Sequence, residues 1–371
     1  MILMFGLMRI LVFLFGVLFF ASCKTPVKDG NLETINVAVN KLENDKVAFN
    51  NYNYIKLETT DDCLLENVVK AKITDKYIYL LSSYGGNIYK FTRQGSFIWK
   101  LSKGEGVGEL VFPTDFYLDV ANGCLWVLDN YRVAKKYSAE GKFIGEDKLE
   151  TLSFLFEKAD DEYMLFDPNL TKSSSHYLKI LKNAELTFSG LPIKENTKVV
   201  SFMPSNVFVK AASENEYYIQ HMLSDTIYHY QADIHEINPV FYIDSEGKSV
   251  NSRDIKFLEP HSFQQICKKE NLISGFAGLS YLNEKLYMMM YYNDKLWYII
   301  YDMNKKTTVT TNRLCQGMPN SSRCVGRDKD FIVYSYRPEE FYEKKDELGD
   351  KAMTLLNEVK EDDNPILVLY N

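Results

Sequence analysis

Residues that punctuate or staple small folds are scarce here: 10 prolines, 19 glycines and six cysteines in 371 residues. So few cysteines exclude a disulfide scaffold, and so little Pro and Gly excludes a collagen-like or low-complexity chain. There are five histidines, no Cys-x-x-Cys and no Cys/His cluster, so no metal site or other cofactor is expected. Basic residues are outnumbered, 43 Lys and Arg against 50 Asp and Glu, for a formal charge of −7. A surface of that sign does not gather nucleic acid by neutralising phosphates. No Gly-x-Ser-x-Gly elbow is present, and no catalytic residue can be assigned. What the chain does have is apolar mass, 46% hydrophobic and 14% aromatic, enough for a large core.

The N-terminus carries an address. Residues 1–22 hold one charge, Arg9, then an apolar run from Ile10 to Phe20 closed by Ala21-Ser22-Cys23. A run this short after a basic residue, ended by small residues, predicts a secretory signal peptide over 1–22. Residues 24–50 are polar, with Pro26, Gly30 and five Asn, and the stretch 23–50 reads as a tether to a folded body over 51–371. The five further cysteines, 63, 124, 267, 315 and 324, cannot all pair. Cys315 and Cys324 bracket a turn-like segment and are the expected disulfide, whereas Cys124 reads as core.

A repeat dominates the rest. Asp75-Lys-Tyr-Ile-Tyr-Leu-Leu81 returns as Asn122-Gly-Cys-Leu-Trp-Val-Leu128, and Phe91 to Ile98 returns as Tyr137 to Ile144. Weaker copies of the turn-plus-strand phrase start at Glu162, Glu216, Glu284 and Asp330, making six units. A period of this length built from short Tyr-, Ile- and Val-rich strands is that of a propeller blade. The predicted fold is therefore all-β, a six-bladed β-propeller of four-stranded blades. Helix is expected only over Ser262–Lys269 and as an insertion over Glu339–Val359. Tyr52–Thr59 is an orphan strand, predicted to pair with Ile366–Tyr370 and close the last blade, leaving no free edge.

These phrases resemble known families. Phe20-Ala-Ser-Cys23 is similar to the lipobox of bacterial lipoproteins, which implies cleavage before Cys23 and lipid attachment at that sulfur. Residues 101–144 resemble an NHL repeat. Ser224-Asp-Thr-Ile-Tyr228 and Asp363-Asn-Pro-Ile-Leu-Val-Leu-Tyr370 resemble the six-bladed β-propeller lipoproteins of Bacteroidetes. The resemblance implies a lipid-anchored protein of the cell envelope, at the outer membrane, facing the periplasm or the exterior. Its expected role is a ligand-binding or interaction module for a peptide, glycan or partner protein, with no nucleic acid. NHL-type propeller lyases imply the alternative, a lyase or hydrolase with a metal in the central channel.

Loop position supplies the site expectation. Loops joining second and third strands and the links between blades share one face, and the long segments fall there. Binding surfaces are commonly built on such loops. Tyr84, Arg132, His176, Tyr292 and Arg337 are predicted to line that mouth with stacking faces and donors. Gly104-Glu-Gly-Val-Gly108-Glu109 is read as an inter-blade turn, since a strand and not a helix follows it. Asp129-Asn-Tyr-Arg132 is expected to pin a turn through a charge-assisted hydrogen bond.

Overall fold

Two features of the strands dictate the architecture: they are short, and most are apolar on both faces. The computed structural model describes residues 32–41, 43, 45–168, 174–193, 206–252 and 260–371. The leader and Cys23 lie outside the described residues. Strands β1 (Glu33–Asn36) and β2 (Tyr52–Lys56) precede the first blade. Blade 1 is β3 (Lys70–Ile73), β4 (Tyr77–Leu81), β5 (Ile88–Thr92) and β6 (Phe97–Lys100). Blade 2 is β7 (Pro113–Asp119), β8 (Cys124–Asp129), β9 (Val133–Tyr137) and β10 (Phe143–Lys148). Blade 3 is β11 (Leu155–Ala159), β12 (Glu162–Phe166), β13 (His176–Lys182) and β14 (Glu185–Pro192). Blade 4 is β15 (Phe208–Lys210), β16 (Glu216–Ile219), β17 (Thr226–Gln231) and β18 (Glu236–Asp244). Blade 5 is β19 (Phe276–Leu282), β20 (Lys285–Tyr292), β21 (Lys295–Asp302) and β22 (Thr307–Thr311). Blade 6 is β23 (Cys324–Asp328), β24 (Phe331–Tyr336) and β25 (Ile366–Tyr370), completed by β2. The protein is thus a six-bladed β-propeller.

Alternation along each strand feeds two blade junctions at once. On β20, Leu286, Met288 and Met290 pack toward blade 4, while Tyr287 and Met289 pack toward blade 6. On β12, Met164 and Phe166 join blade 4 and Tyr163 and Leu165 join blade 2. Both faces are buried, so the strands read as continuous apolar runs, and the tyrosines are mostly core. The Gly104–Glu109 segment is an inter-blade turn, held by the Gly106 N–H to the Glu109 carboxylate at 2.9 Å.

Closure follows the predicted pairing. β2 runs antiparallel to β25, with Tyr54 opposite Val368. Phe49 then stacks between Tyr287 of blade 5 and Tyr370 of blade 6, at centroid distances of 4.8 and 5.2 Å. Asn364 ties the seam: its amide donates to the carbonyls of Glu58 at 2.6 Å and Cys63 at 2.8 Å, and its oxygen accepts the Leu65 N–H at 2.7 Å.

The tether expected over 23–50 needs correction from Glu33 onward. β1 adds a fifth, parallel strand to the outer edge of blade 4 beside β18. The chain then crosses blade 5, where the Glu43 N–H meets the Thr310 carbonyl at 2.9 Å and the Phe49 N–H meets Leu314 at 2.9 Å. Ile35, Val37, Val39 and Phe49 are buried. Their period-2 spacing was hidden by the surrounding Asn and Lys. Residues 23–31 lie outside the described residues.

The predicted C-terminal helix is also broken. α1 (Pro260–Glu270) forms near its expected place, but the later insertion is α2 (Pro338–Glu343), a single 3-10 turn and α3 (Asp350–Leu356). The break comes at Gly349, whose N–H donates to Gly317 at 3.0 Å. Gly317 has φ +68, and a Cβ there would lie 2.7 Å from the Gly349 nitrogen, so only glycine lets the two backbones touch.

The expected disulfide is not made: among the described residues Cys63, Cys124, Cys267, Cys315 and Cys324 are all free thiols. Cys315 forms a backbone bridge with Phe49, whereas the Cys324 sulfur turns to Ser280 of blade 5 at 3.4 Å. The two residues are held by different neighbours, Cys315 by the backbone of Phe49 and Cys324 by Ser280, which the turn between them could not reveal.

Candidate functional site

Six innermost strands, β3, β7, β11, β15, β19 and β23, surround the propeller axis. They leave a chamber of about 620 Å³. Its lining runs from Tyr84, on the loop between the second and third strands of blade 1, to Asp119 at the end of β7 and to Glu214 and Lys329 on turns. Gly326 permits the tight approach of β23 to β3, since a Cβ there would stand 2.2 Å from the Ala71 carbonyl oxygen.

Alternate residues of these strands project charge into the chamber wall: Lys70 and Lys72 from β3, Asp115 from β7, Glu157 from β11, Lys210 from β15 and Arg327 from β23. Lys70 is committed, pairing with Asp115 at 2.6 Å. Asp115 also accepts the backbone N–H of Phe116 at 2.8 Å and of Phe156 at 2.9 Å, bracing blade 2 against blade 3. Burial pushes the Asp115 carboxyl up, against the pull of Lys70 and those two amides.

Lys72 is different. Among the described residues no hydrogen bond or ion pair reaches its ammonium. Burial holds its pKa below the ordinary lysine value, Glu157 opposes that shift, and repulsion from Lys70, Lys210 and Arg327 adds to it. Arg327 donates to the Tyr281 carbonyl at 2.6 Å and, more weakly, to Lys210 at 3.4 Å, and no carboxylate pairs with it among the described residues. Burial pushes the Tyr117 phenol up to about 12, helped by Glu157 and Asp119, and Tyr217 moves the same way. Both therefore remain protonated donors near neutral pH.

The five residues expected at the mouth stand at ends of second and third strands but do not converge. Tyr84 lines the chamber and packs edge-on against Phe154 at 4.7 Å. Arg132 is exposed, while its neighbour Tyr131 turns inward between Phe112 and Phe154. His176 begins β13 and meets the Ser175 hydroxyl at 2.9 Å. Tyr292 does not line the mouth: it is 8% exposed and packs in the core, whereas Tyr291 beside it is 49% exposed. Arg337 caps α2, its N–H accepted by Glu340 at 2.7 Å and its guanidinium paired with Glu339 at 2.9 Å. Asp129 does pin a turn with a charged partner, but that partner is Lys135 at 2.8 Å rather than Arg132. Of the long loops on this face, 169–173 and 194–205 lie outside the described residues.

Sequence reasoning missed Lys70, Lys72, Glu157, Lys210 and Arg327. The available signal was charge inside strands, as in Lys70-Ala-Lys-Ile73 and Phe156-Glu-Lys-Ala159. Among the described residues no three His, Cys, Asp or Glu side chains are grouped to hold a metal ion.

Ring, seam and chamber define the class, a six-bladed propeller built from the chain between Glu33 and Asn371. The chain belongs to the family described as Domain of unknown function (DUF4934), whose model matches residues 32–371. Its fold is similar to that of the "Putative exported protein" from Bacteroides fragilis NCTC 9343, at 18% identity and TM-score 0.72, covering 92% of this chain and 99% of that one. It is also similar to a member of the DUF4221 family from Bacteroides vulgatus ATCC 8482, at 9% identity and TM-score 0.52, covering 88% and 97%. No curated protein matches the chain.

Proposed function

We propose that this chain is a binding protein of the cell envelope that holds a small ligand in its central chamber. The observation that carries this reading is a chamber of about 620 Å³ whose wall sets lysine, arginine, carboxylate and tyrosine side chains among apolar ones. Ligand sites commonly occupy a few hundred cubic ångströms and orient their guests with a few polar groups. Of the ligand kinds left open by the sequence, this volume suits a small molecule or the end of a peptide or glycan chain. The Arg9-to-Cys23 segment supports export and a lipid anchor at Cys23, with the propeller in the periplasm or outside the cell.

Hydrogen exchange of the whole protein, with and without pools of peptides, sugars and carboxylic acids, tests the reading. A binding pool is expected to slow exchange in β3, β11 and β15. Protection confined to outer loops, or no protection by any pool, would overturn it.

A further inference from the structure

We propose that the chamber recognises a small oxyanion, a carboxylate or phosphate group, held between Lys72, Lys210 and Arg327. The inference rests on the chamber being the ligand site and names the chemistry of what enters it. Charge pairing inside the ring is uneven. Lys70 and Asp115 neutralise each other at 2.6 Å. Outside the chamber lining, Lys135 and Asp129 do the same at 2.8 Å, as do Lys179 and Asp167 at 3.3 Å. Those lysines, buried or half-buried, show that the fold can supply a carboxylate where it draws a cation out of solvent.

Lys72, Lys210 and Arg327 have no such partner among the described residues, and Glu157 is the one carboxylate that faces Lys72. The lining as a whole is balanced, with Asp119, Glu214, Asp328 and Lys329 elsewhere on the wall, so the excess is local: Lys72, Lys210 and Arg327 share their part of the chamber with the single carboxylate of Glu157. Clustered like charges repel one another, most at half-buried Lys72 and Arg327 and least at exposed Lys210, and a counter-charge relieves that repulsion. An oxyanion supplies it, accepting from two ammonium groups and from the guanidinium donors not used on Tyr281 and Lys210. The protonated phenols of Tyr117 and Tyr217 can donate alongside, and Glu157 repels the anion from its own side of the chamber.

Thermal melting of the full chain at constant ionic strength is the test, with inorganic phosphate, succinate and neutral glucose as probes. Phosphate or succinate at about ten times its dissociation constant is expected to raise the melting temperature by about 2 °C, and glucose to leave it unchanged. The larger response of the two anions tells phosphate from carboxylate. Lys72→Met and Lys210→Met should each weaken the anion response at least tenfold, while Lys268→Met on the outer surface should not. Lys72→Met should also melt no lower than the parent without ligand, since it removes an unpaired sequestered charge; this separates lost binding from lost folding. No response to either anion, or an undiminished response in both chamber variants, overturns the proposal. A neutral ligand that protects β3 and β15 equally in parent and Lys72→Met would overturn the oxyanion and leave the chamber reading standing. Absence of inner-strand protection with every probe would remove both.

Discussion

Asn364 closes the ring with three hydrogen bonds from a side chain that is 2% exposed. It belongs to the Asp-Asn-Pro phrase that carries the family resemblance, and its work there is structural. Asp225, in the other such phrase, likewise serves a loop, accepting from Ser249 at 2.6 Å and Asn251 at 2.7 Å. Replacing Asn364 by Ala strands one N–H and two carbonyls, and should cost about 3 kcal/mol in urea unfolding. Asn364→Asp should cost more, because a carboxylate would face the Glu58 and Cys63 carbonyls. A loss below about 1 kcal/mol for both variants would show that water replaces the amide. At this scale sequence reading was weakest. Tyr291 and Tyr292 differ only in strand parity, and which parity faces solvent depends on where the neighbouring blade lies. Arg132 and Tyr131 differ in the same way across a turn in which Asn130 and Tyr131 both have positive φ.

Elements were more legible than residues, because strands announce themselves by β-rich runs and turns. The second strands begin where the repeat placed them, at Tyr77, Cys124, Glu162, Glu216, Lys285 and Phe331, within two residues of each predicted phrase. The N-terminal strap was missed because its apolar alternation is only three residues deep and a strand that short needs an edge to dock on. Deleting residues 24–31 is expected to leave the melting temperature within about 1 °C of the parent. Deleting 24–50 removes the buried Ile35, Val37, Val39 and Phe49 and should lower it by about 10 °C. Equal melting of the two truncations would mean that the strap contributes no stability. The C-terminal insertion shows the opposite failure: a helical composition was legible, but the Gly317–Gly349 contact that interrupts it joins residues 32 apart in sequence.

For the whole molecule, lipid attachment at Cys23 would tether a rigid ring to a membrane, and cell fractionation checks it. Cys23→Ala is expected to move the protein to the soluble fraction, because it removes the sulfur that would carry the proposed lipid anchor. Unchanged membrane retention would point to an uncleaved anchor. By itself the sequence determined the number of blades, the class of strand and the closing partner of β25. Those rest on local propensity and on repetition, which are properties of neighbouring residues. Only the tertiary structure decided which charges face the axis. Lys70, Lys72, Asp115, Glu157, Lys210 and Arg327 come from five of the six blades, and they meet only because six twisted sheets close into a circle. Whether such a group is paired or left open to a ligand depends on what stands across the ring, and that neighbour is set by closure rather than by spacing along the chain.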